Sequence, residues 1–238
     1  KELKKRNVKC SICIVGEPTS MKAVQAHKGC YEYSTYFTGL AGHGSAPDKG
    51  VNAVEYASLY INKLMELREE LKKREPKNSV FTPPYSTLQI GGIRGGLARN
   101  VIADQCTVDW ELRPVIPEDG DFVNQNIETY VKDILLPEMR KVYPKANIKK
   151  EIIGEIIGFT KEEKSDAVNL VCNLTGDNSR DVVSFGTEAG LFQELGISTV
   201  VCGPGSIEQA HKVDEYVSFD QLKLCLKMLI DLKEQLTN

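Results

Sequence analysis

"CTVDWEL", residues 106–112, is the stretch on which the fold turns. Cys106, Val108, Trp110 and Leu112 alternate with Thr107, Asp109 and Glu111, a period of two that puts the apolar set on one side of a strand and the polar set on the other. One apolar and one polar face is the pattern of an antiparallel sheet covered on a single side. The strand is read as Val101–Leu112. Upstream, Tyr85–Ile93 and the Tyr-, Thr- and Phe-rich Cys30–Thr38, "CYEYSTYFT", read as two further strands. Between them Val51–Lys73 carries Val54, Ala57, Ile61, Leu64, Leu67 and Leu71 at spacings of three and four, a helix, and Pro76–Pro84 is a loop. Downstream, Asp121–Tyr143 reads as a second helix that Pro137 should kink or break, and Asn147–Ile157 as a last strand. The order β-α-β-β-α-β is the split, ferredoxin-like pattern, over about residues 28–156.

What flanks this unit has another character. Val8–Val15 is a near-continuous apolar run, expected to be a strand buried on both faces, and "GEPTS" ends it. Glu162–Leu174 reads as a helix, Val182–Phe185 as a short apolar segment, Glu188–Leu195 as a short helix and Ser198–Cys202, "STVVC", as a buried strand. Ser218–Leu236 reads as a helix opened by a capping box of Ser218 and Gln221, with Leu222, Leu226, Leu229 and Leu236 on its inner face. Strands alternating with helices predict a mainly parallel sheet, but too few strands are present for an open α/β sheet. The fold class is α/β. Residues 1–27 and 157–238 are expected to form a partial, discontinuous, mainly parallel α/β domain, and residues 28–156 an α+β domain inserted into it.

Composition narrows the function. The chain has 238 residues, 41% hydrophobic and 26% charged, with a net charge of −3. That balance argues against a general polyanion binder, so the basic clusters Lys4–Arg6 and Lys72–Arg74 are read as solvated faces and no nucleic-acid partner is expected. No apolar stretch reaches about 18 residues, so no membrane span is expected, nor is a signal peptide. Seven scattered cysteines, mostly inside apolar runs, read as reduced thiols in a cytoplasmic protein. The lone C-x-x-C at Cys10–Cys13 has no second pair to complete a zinc ribbon.

Several residues are of the right kind for chemistry. Glu17 ends the first apolar strand and His211 follows "STVVC" through "GPGSIEQA". In open α/β sheets ligands gather at the carboxyl ends of strands, so the two can meet at one rim as an O/N donor set for zinc or a similar cation. Two donors do not complete a site, and a turn carboxylate and a surface histidine are the plain alternatives. His43 lies in "AGHGSAP" among small residues that leave its ring accessible. Asn100 and Arg113 stand at the two ends of one strand segment and could hold a carboxylate, although an arginine in an ordinary ion pair is commoner. Gly186 and Thr187, in "SFGTEAGLF", stand at a helix start, where backbone N–H groups suit an anion or Thr187 is simply the cap. "GGIRGG", residues 91–96, lacks the Lys-Ser/Thr of a phosphate loop and no helix follows it.

Taken together, "IVGEPT", "GLAGHGSAPDKGVNA", "RNVIADQCTVDWELRP", "SFGTEAG" and "CGPGSIEQAHKVDEYV" resemble the M20 metallopeptidase family, and within it the acetylornithine deacetylase branch, from about Cys13 to the end of the chain. The resemblance implies a catalytic α/β domain bearing an inserted lid that forms a homodimer, and two-metal (zinc or cobalt) hydrolysis of an N-acyl amino acid. It implies Glu17 and His211 as metal ligands, and His43 as the lid histidine that stabilises the oxyanion in the partner subunit's site. Asn100, Arg113, Thr187 and Glu188 become substrate-binding residues. Succinyl-diaminopimelate desuccinylase, aminoacylase or carboxypeptidase activity, or a non-catalytic dimerisation module, are the alternatives. The family's upstream His-x-Asp, bridging Asp and Glu-Glu motifs have no counterpart in the sixteen residues before Glu17. The expectation is therefore the C-terminal part of such an enzyme, with an incomplete metal centre and no activity alone.

Overall fold

The computed structural model describes residues 5–6 and 10–237, which divide into two compact units. One comprises the residues up to His27 with those from Ile156 on; the other is Lys28–Glu155.

The second unit is a four-stranded sheet in the order β4-β5-β3-β6, made of β3 (Cys30–Thr38), β4 (Thr87–Gly95), β5 (Gln105–Arg113) and β6 (Asn147–Ile156). Strand β5 runs antiparallel to both β3 and β4. Its pleat carries Cys106, Val108, Trp110 and Leu112 inward, each no more than 3% exposed. Helix α1 (Ala53–Lys73) covers this face with Ala57, Leu64, Leu67 and Leu71 buried, each leucine stabilising by about 1.5–3 kcal/mol. Asn52 caps it: Oδ1 accepts from Val54 N–H (3.0 Å) and Nδ2 donates to Glu55 Oε1 (2.9 Å).

Helix α2 (Pro117–Tyr130) begins earlier than the reading from Asp121, because Pro117 occupies the first turn, where no N–H is needed. The break expected at Pro137 takes the form of a π turn, Val131–Leu135, leading into α3 (Leu136–Val142). A proline has no N–H for the carbonyl four residues back, and the wider turn absorbs the loss. Strand β5 also starts later than expected: 101–104 is not strand, and Val101 makes only an isolated bridge to His43.

Lys28 opens this unit at 1% exposure. Its ammonium donates to Pro83 O and Tyr85 O, both at 2.8 Å, and lies 5.9 Å from the centroid of the Phe81 ring, clamping the loop before β4. Burial pulls its pKa down to about 8. Between about pH 8 and 10.4 the unfolded chain therefore holds a proton that the folded chain has released, and folded-state stability rises with pH. Urea melts of wild type and Lys28→Met should show the difference shifting toward wild type by on the order of 1–3 kcal/mol between pH 7 and 10. A difference that stays flat or shrinks overturns this.

The first unit has a sheet in the order β1-β8-β2-β7, from β1 (Ile12–Val15), β2 (Ala23–His27), β7 (Arg180–Val183) and β8 (Ser198–Val201). β1 with β8 and β2 with β7 are parallel pairs, joined by an antiparallel contact at Val24 and Val201. Val8 and Lys9 of the expected first strand lie outside the described residues, as does Lys4 of the basic cluster. β1 is half-buried rather than buried on both faces, because it is an edge strand. β2 was absent from the sequence reading. It is five residues long and interrupted by Gln25, whose side chain is nonetheless buried and donates to Arg180 O (2.9 Å).

Helix α4 (Asp166–Thr175) is capped by Ser165 and closed by left-handed Gly176, and packs on this sheet through Val168, Val171 and Cys172. The next helix is α5 (Ala189–Gln193). The last, α6 (Phe219–Thr237), departs from expectation. Leu222, Leu226, Leu229 and Leu236 are 43–78% exposed, and the inward side is Met228 with Cys225 and Leu232 beside it. Apolar residues cover a wide arc of this helix outside the polar stripe of Asp220, Lys223, Lys227, Asp231 and Glu234, so spacing alone does not select the packed part of that arc. A groove of about 770 Å³ runs beside it, lined by Ile12, Ile14, Leu170, Cys225, Leu229 and Leu232 among others.

Candidate metal and substrate site

Two loops leave the carboxyl ends of the parallel neighbours β1 and β8, and hydrogen bonds stitch them together. Thr19 N–H and Met21 N–H donate to Gly203 O (3.2 and 3.0 Å), Ser20 N–H donates to Gly205 O (2.6 Å), and Gly203 N–H donates to Thr19 Oγ1 (3.2 Å). Thr19 and Ser206 form an antiparallel bridge. A Cβ on Gly203 would stand 2.6 Å from Glu17 O, so this approach requires glycine. Glu17 sits half-buried in the first loop and His211 exposed at the end of the second.

Backbone strain is concentrated here. Among the described residues, four non-glycine residues have positive φ: Ser20 (56°), Met21 (63°), His211 (62°) and Asp214 (64°), all in these two segments. Such conformations cost of order 1–3 kcal/mol each and cluster where geometry serves a ligand. His211 N–H donates to Glu215 Oε2 (3.0 Å), holding the turn. The capping box expected of Ser218 and Gln221 is only half made. Ser218 Oγ accepts from Gln221 N–H (3.3 Å), but Gln221 Oε1 instead takes Gly205 N–H (3.2 Å) and braces the His211 loop from α6.

As O and N donors, Glu17 and His211 suit a divalent cation, but among the described residues no three His, Cys, Asp or Glu are grouped to hold one. Burial pushes Cys202, at the root of the second loop, up to about 11, so at neutral pH it is a thiol.

Thr187 and Glu188 follow β7. Thr187 is 3% exposed and its Oγ1 accepts from Ala189 N–H (3.0 Å), the capping arrangement weighed from sequence. Glu188 is exposed and caps nothing with its side chain. Sequence reasoning passed over the residue that holds them. His27 is buried at the end of β2, its Nε2 3.2 Å from Thr187 N and 2.9 Å from Thr187 Oγ1. The available signal was a histidine closing an apolar run, Ala23–His27, that was itself unrecognised.

In the other unit His43 is exposed. Its Nδ1 accepts from Ser45 N–H (3.2 Å) and lies 2.7 Å from Ser45 Oγ. An Nδ1 used as acceptor leaves the ring proton on Nε2, a hydrogen-bond donor facing outward. Asn100 belongs with it: Gly44 N–H donates to Asn100 O (2.8 Å), Ile102 N–H donates to Gly42 O (2.9 Å), and His43 pairs with Val101. Asn100 lies ahead of β5 and Arg113 is its last residue; a strand of nine residues is roughly 30 Å long at about 3.3 Å per residue. Arg113 donates to Glu111 Oε2 (2.9 Å), the ordinary ion pair weighed from sequence.

The chain thus holds an α/β unit with strained loops at its strand ends and, next in sequence, an antiparallel helix-covered sheet. Residues 25–139 match the peptidase dimerisation domain of the M20 enzymes, and the chain belongs to that family. Among curated proteins it is 36% identical over 208 residues to an acetylornithine deacetylase of Edwardsiella ictaluri, covering 87% of this chain and 52% of that one. It is 33% identical over 216 residues to that of Myxococcus xanthus, covering 91% and 55%. The chain thus spans about half the length of the curated relatives it matches. Among solved structures, a tripeptidase from Staphylococcus aureus superposes with a TM-score of 0.72 at 19% identity, covering 97% of this chain and 58% of that one. An aminopeptidase from Bacillus cereus gives 0.71 at 18%, covering 98% and 59%. Both speak to the fold alone. No helix among the described residues is long and apolar enough to cross a membrane.

Proposed function

We propose that this chain is the C-terminal part of a metal-dependent amidohydrolase that removes the acetyl group of N2-acetylornithine. The observation that carries the reading is the stitched pair of strained loops bearing Glu17 and His211. These would supply one donor each to a pair of divalent ions, zinc or cobalt, whose chemistry is Lewis acidity toward the scissile amide. The remaining donors and the general base would come from a preceding segment. The exposed leucines of α6, the groove beside them and the half-length match to the relatives support that division. His43, its Nε2–H turned outward, would steady the developing oxyanion. Thr187, Glu188, Asn100 and Arg113 would contact the substrate, the last two from separate places on the lid. The unit 28–156 would be the lid and homodimerise.

The test is a comparison. This chain with Zn²⁺ or Co²⁺ should leave N-acetylornithine intact, while a form including the upstream half should hydrolyse it in preference to N-succinyl-diaminopimelate and other acyl amino acids. Substantial turnover by the chain alone sinks the division of labour. Preference for another acyl group redirects the substrate within the family, and no turnover by either form leaves the dimerisation-module reading.

A further inference from the structure

We infer that His27 is a positioning residue that fixes the Thr187–Glu188 turn. The inference rests on the proposed substrate-side place of that turn but draws its geometry from His27 itself. The histidine is 1% exposed in a strand buried at all five residues. Its backbone is held on both sides by Phe159, with His27 N–H donating to Phe159 O and Phe159 N–H to His27 O, both at 2.9 Å, and the two rings lie tilted at 5.7 Å. The imidazole therefore has a fixed frame. Its Nε2 accepts Thr187 N–H (3.2 Å) beside Thr187 Oγ1 (2.9 Å), placing the ring proton on Nδ1. His27 also pairs with Val183, the last residue of β7, so the segment that leaves β7 is caught by the neighbouring strand β2.

A turn buried at Thr187 needs an acceptor for that N–H. The helix it opens, Ala189–Gln193, has five residues and no side-chain cap from Glu188. Without His27 the Thr187 amide loses the acceptor it has in the fold, and the exposed Glu188 loses its fixed base. A ring chosen merely to fill space beside Phe159 would not require an acceptor nitrogen aimed at a main-chain donor.

Histidine-selective NMR on the chain, which needs no variant, should find Nδ1 protonated and Nε2 bare. The reverse tautomer overturns the inference. His27→Phe keeps the ring volume and removes the acceptor; His27→Gln retains an acceptor oxygen. Amide exchange at Thr187 should quicken at least about tenfold in the first and stay near wild type in the second, with Val24 and Val200 unchanged in both. Equal exchange at Thr187 in all three overturns it. In the longer, hydrolytic form, His27→Phe should raise KM about tenfold with kcat changed far less, and Gln should restore it; an unaltered KM counts against the role. If that form hydrolyses no acyl amino acid, the proposed function fails while the tautomer and exchange data still decide His27.

Discussion

Alanine at position 43 should lower kcat by about 10²–10³ in the hydrolytic form of the protein, the usual loss for one oxyanion donor. The reason is local. His43 is solvent-exposed, packs into no core, and is oriented by Ser45 so that Nε2–H is the free donor. In the proposed role, truncation would remove a hydrogen bond to the reacting group without removing any buried side chain. Melting temperature and dimer mass should be unchanged, and steady-state kinetics should place the loss in kcat. If the lid histidine serves the partner subunit, mixing His43→Ala with Glu17→Ala should recover about a quarter of wild-type activity, because half the dimers are mixed and each has one intact site. A loss smaller than about threefold in His43→Ala removes the histidine from catalysis.

Trp110→Ala should be among the most damaging single changes to the unit Lys28–Glu155, costing about 3–5 kcal/mol. Trp110 is 3% exposed, stacks on Tyr33 with centroids 4.3 Å apart, and meets Tyr60 edge-on at 6.5 Å. Its Nε1–H donates to Thr35 Oγ1 (3.1 Å), which donates on to Tyr60 OH (3.1 Å). Removing the indole opens a cavity and breaks a buried polar chain together. Trp110→Phe keeps most of the volume and loses only the donor, so it should cost less than half as much. Urea unfolding followed by circular dichroism measures both; an alanine effect below about 1.5 kcal/mol contradicts this packing.

The inserted unit was legible because its signals are local. The alternation through Trp110 and the three-four spacing through Leu64 and Leu71 each name the side that is buried, and the structure buries those residues. The other unit was less so. The short β2 carries Gln25 in its middle and His27 at its end, polar residues whose burial depends on Arg180 O and Thr187, more than 150 positions away. The inner side of α6 was misassigned because its apolar arc is much wider than the part that packs. At the candidate site, residue types singled out Glu17, His43 and His211, while Asn100 and Arg113 were read at the two ends of one strand and the structure starts that strand only at Gln105.

By itself, then, the sequence determined the order of elements and the buried faces in the unit Lys28–Glu155 and the kind of side chain at each loop, since these follow from periodicity and chemistry within a few neighbouring residues. Only the tertiary structure decided that the loops after β1 and β8 are laced together through Gly203, that Ser45 sets the tautomer of His43, and that His27 holds Thr187. Those outcomes depend on hydrogen bonds between atoms whose closeness is created by folding, and only for His43 and Ser45 do the partners lie close in sequence.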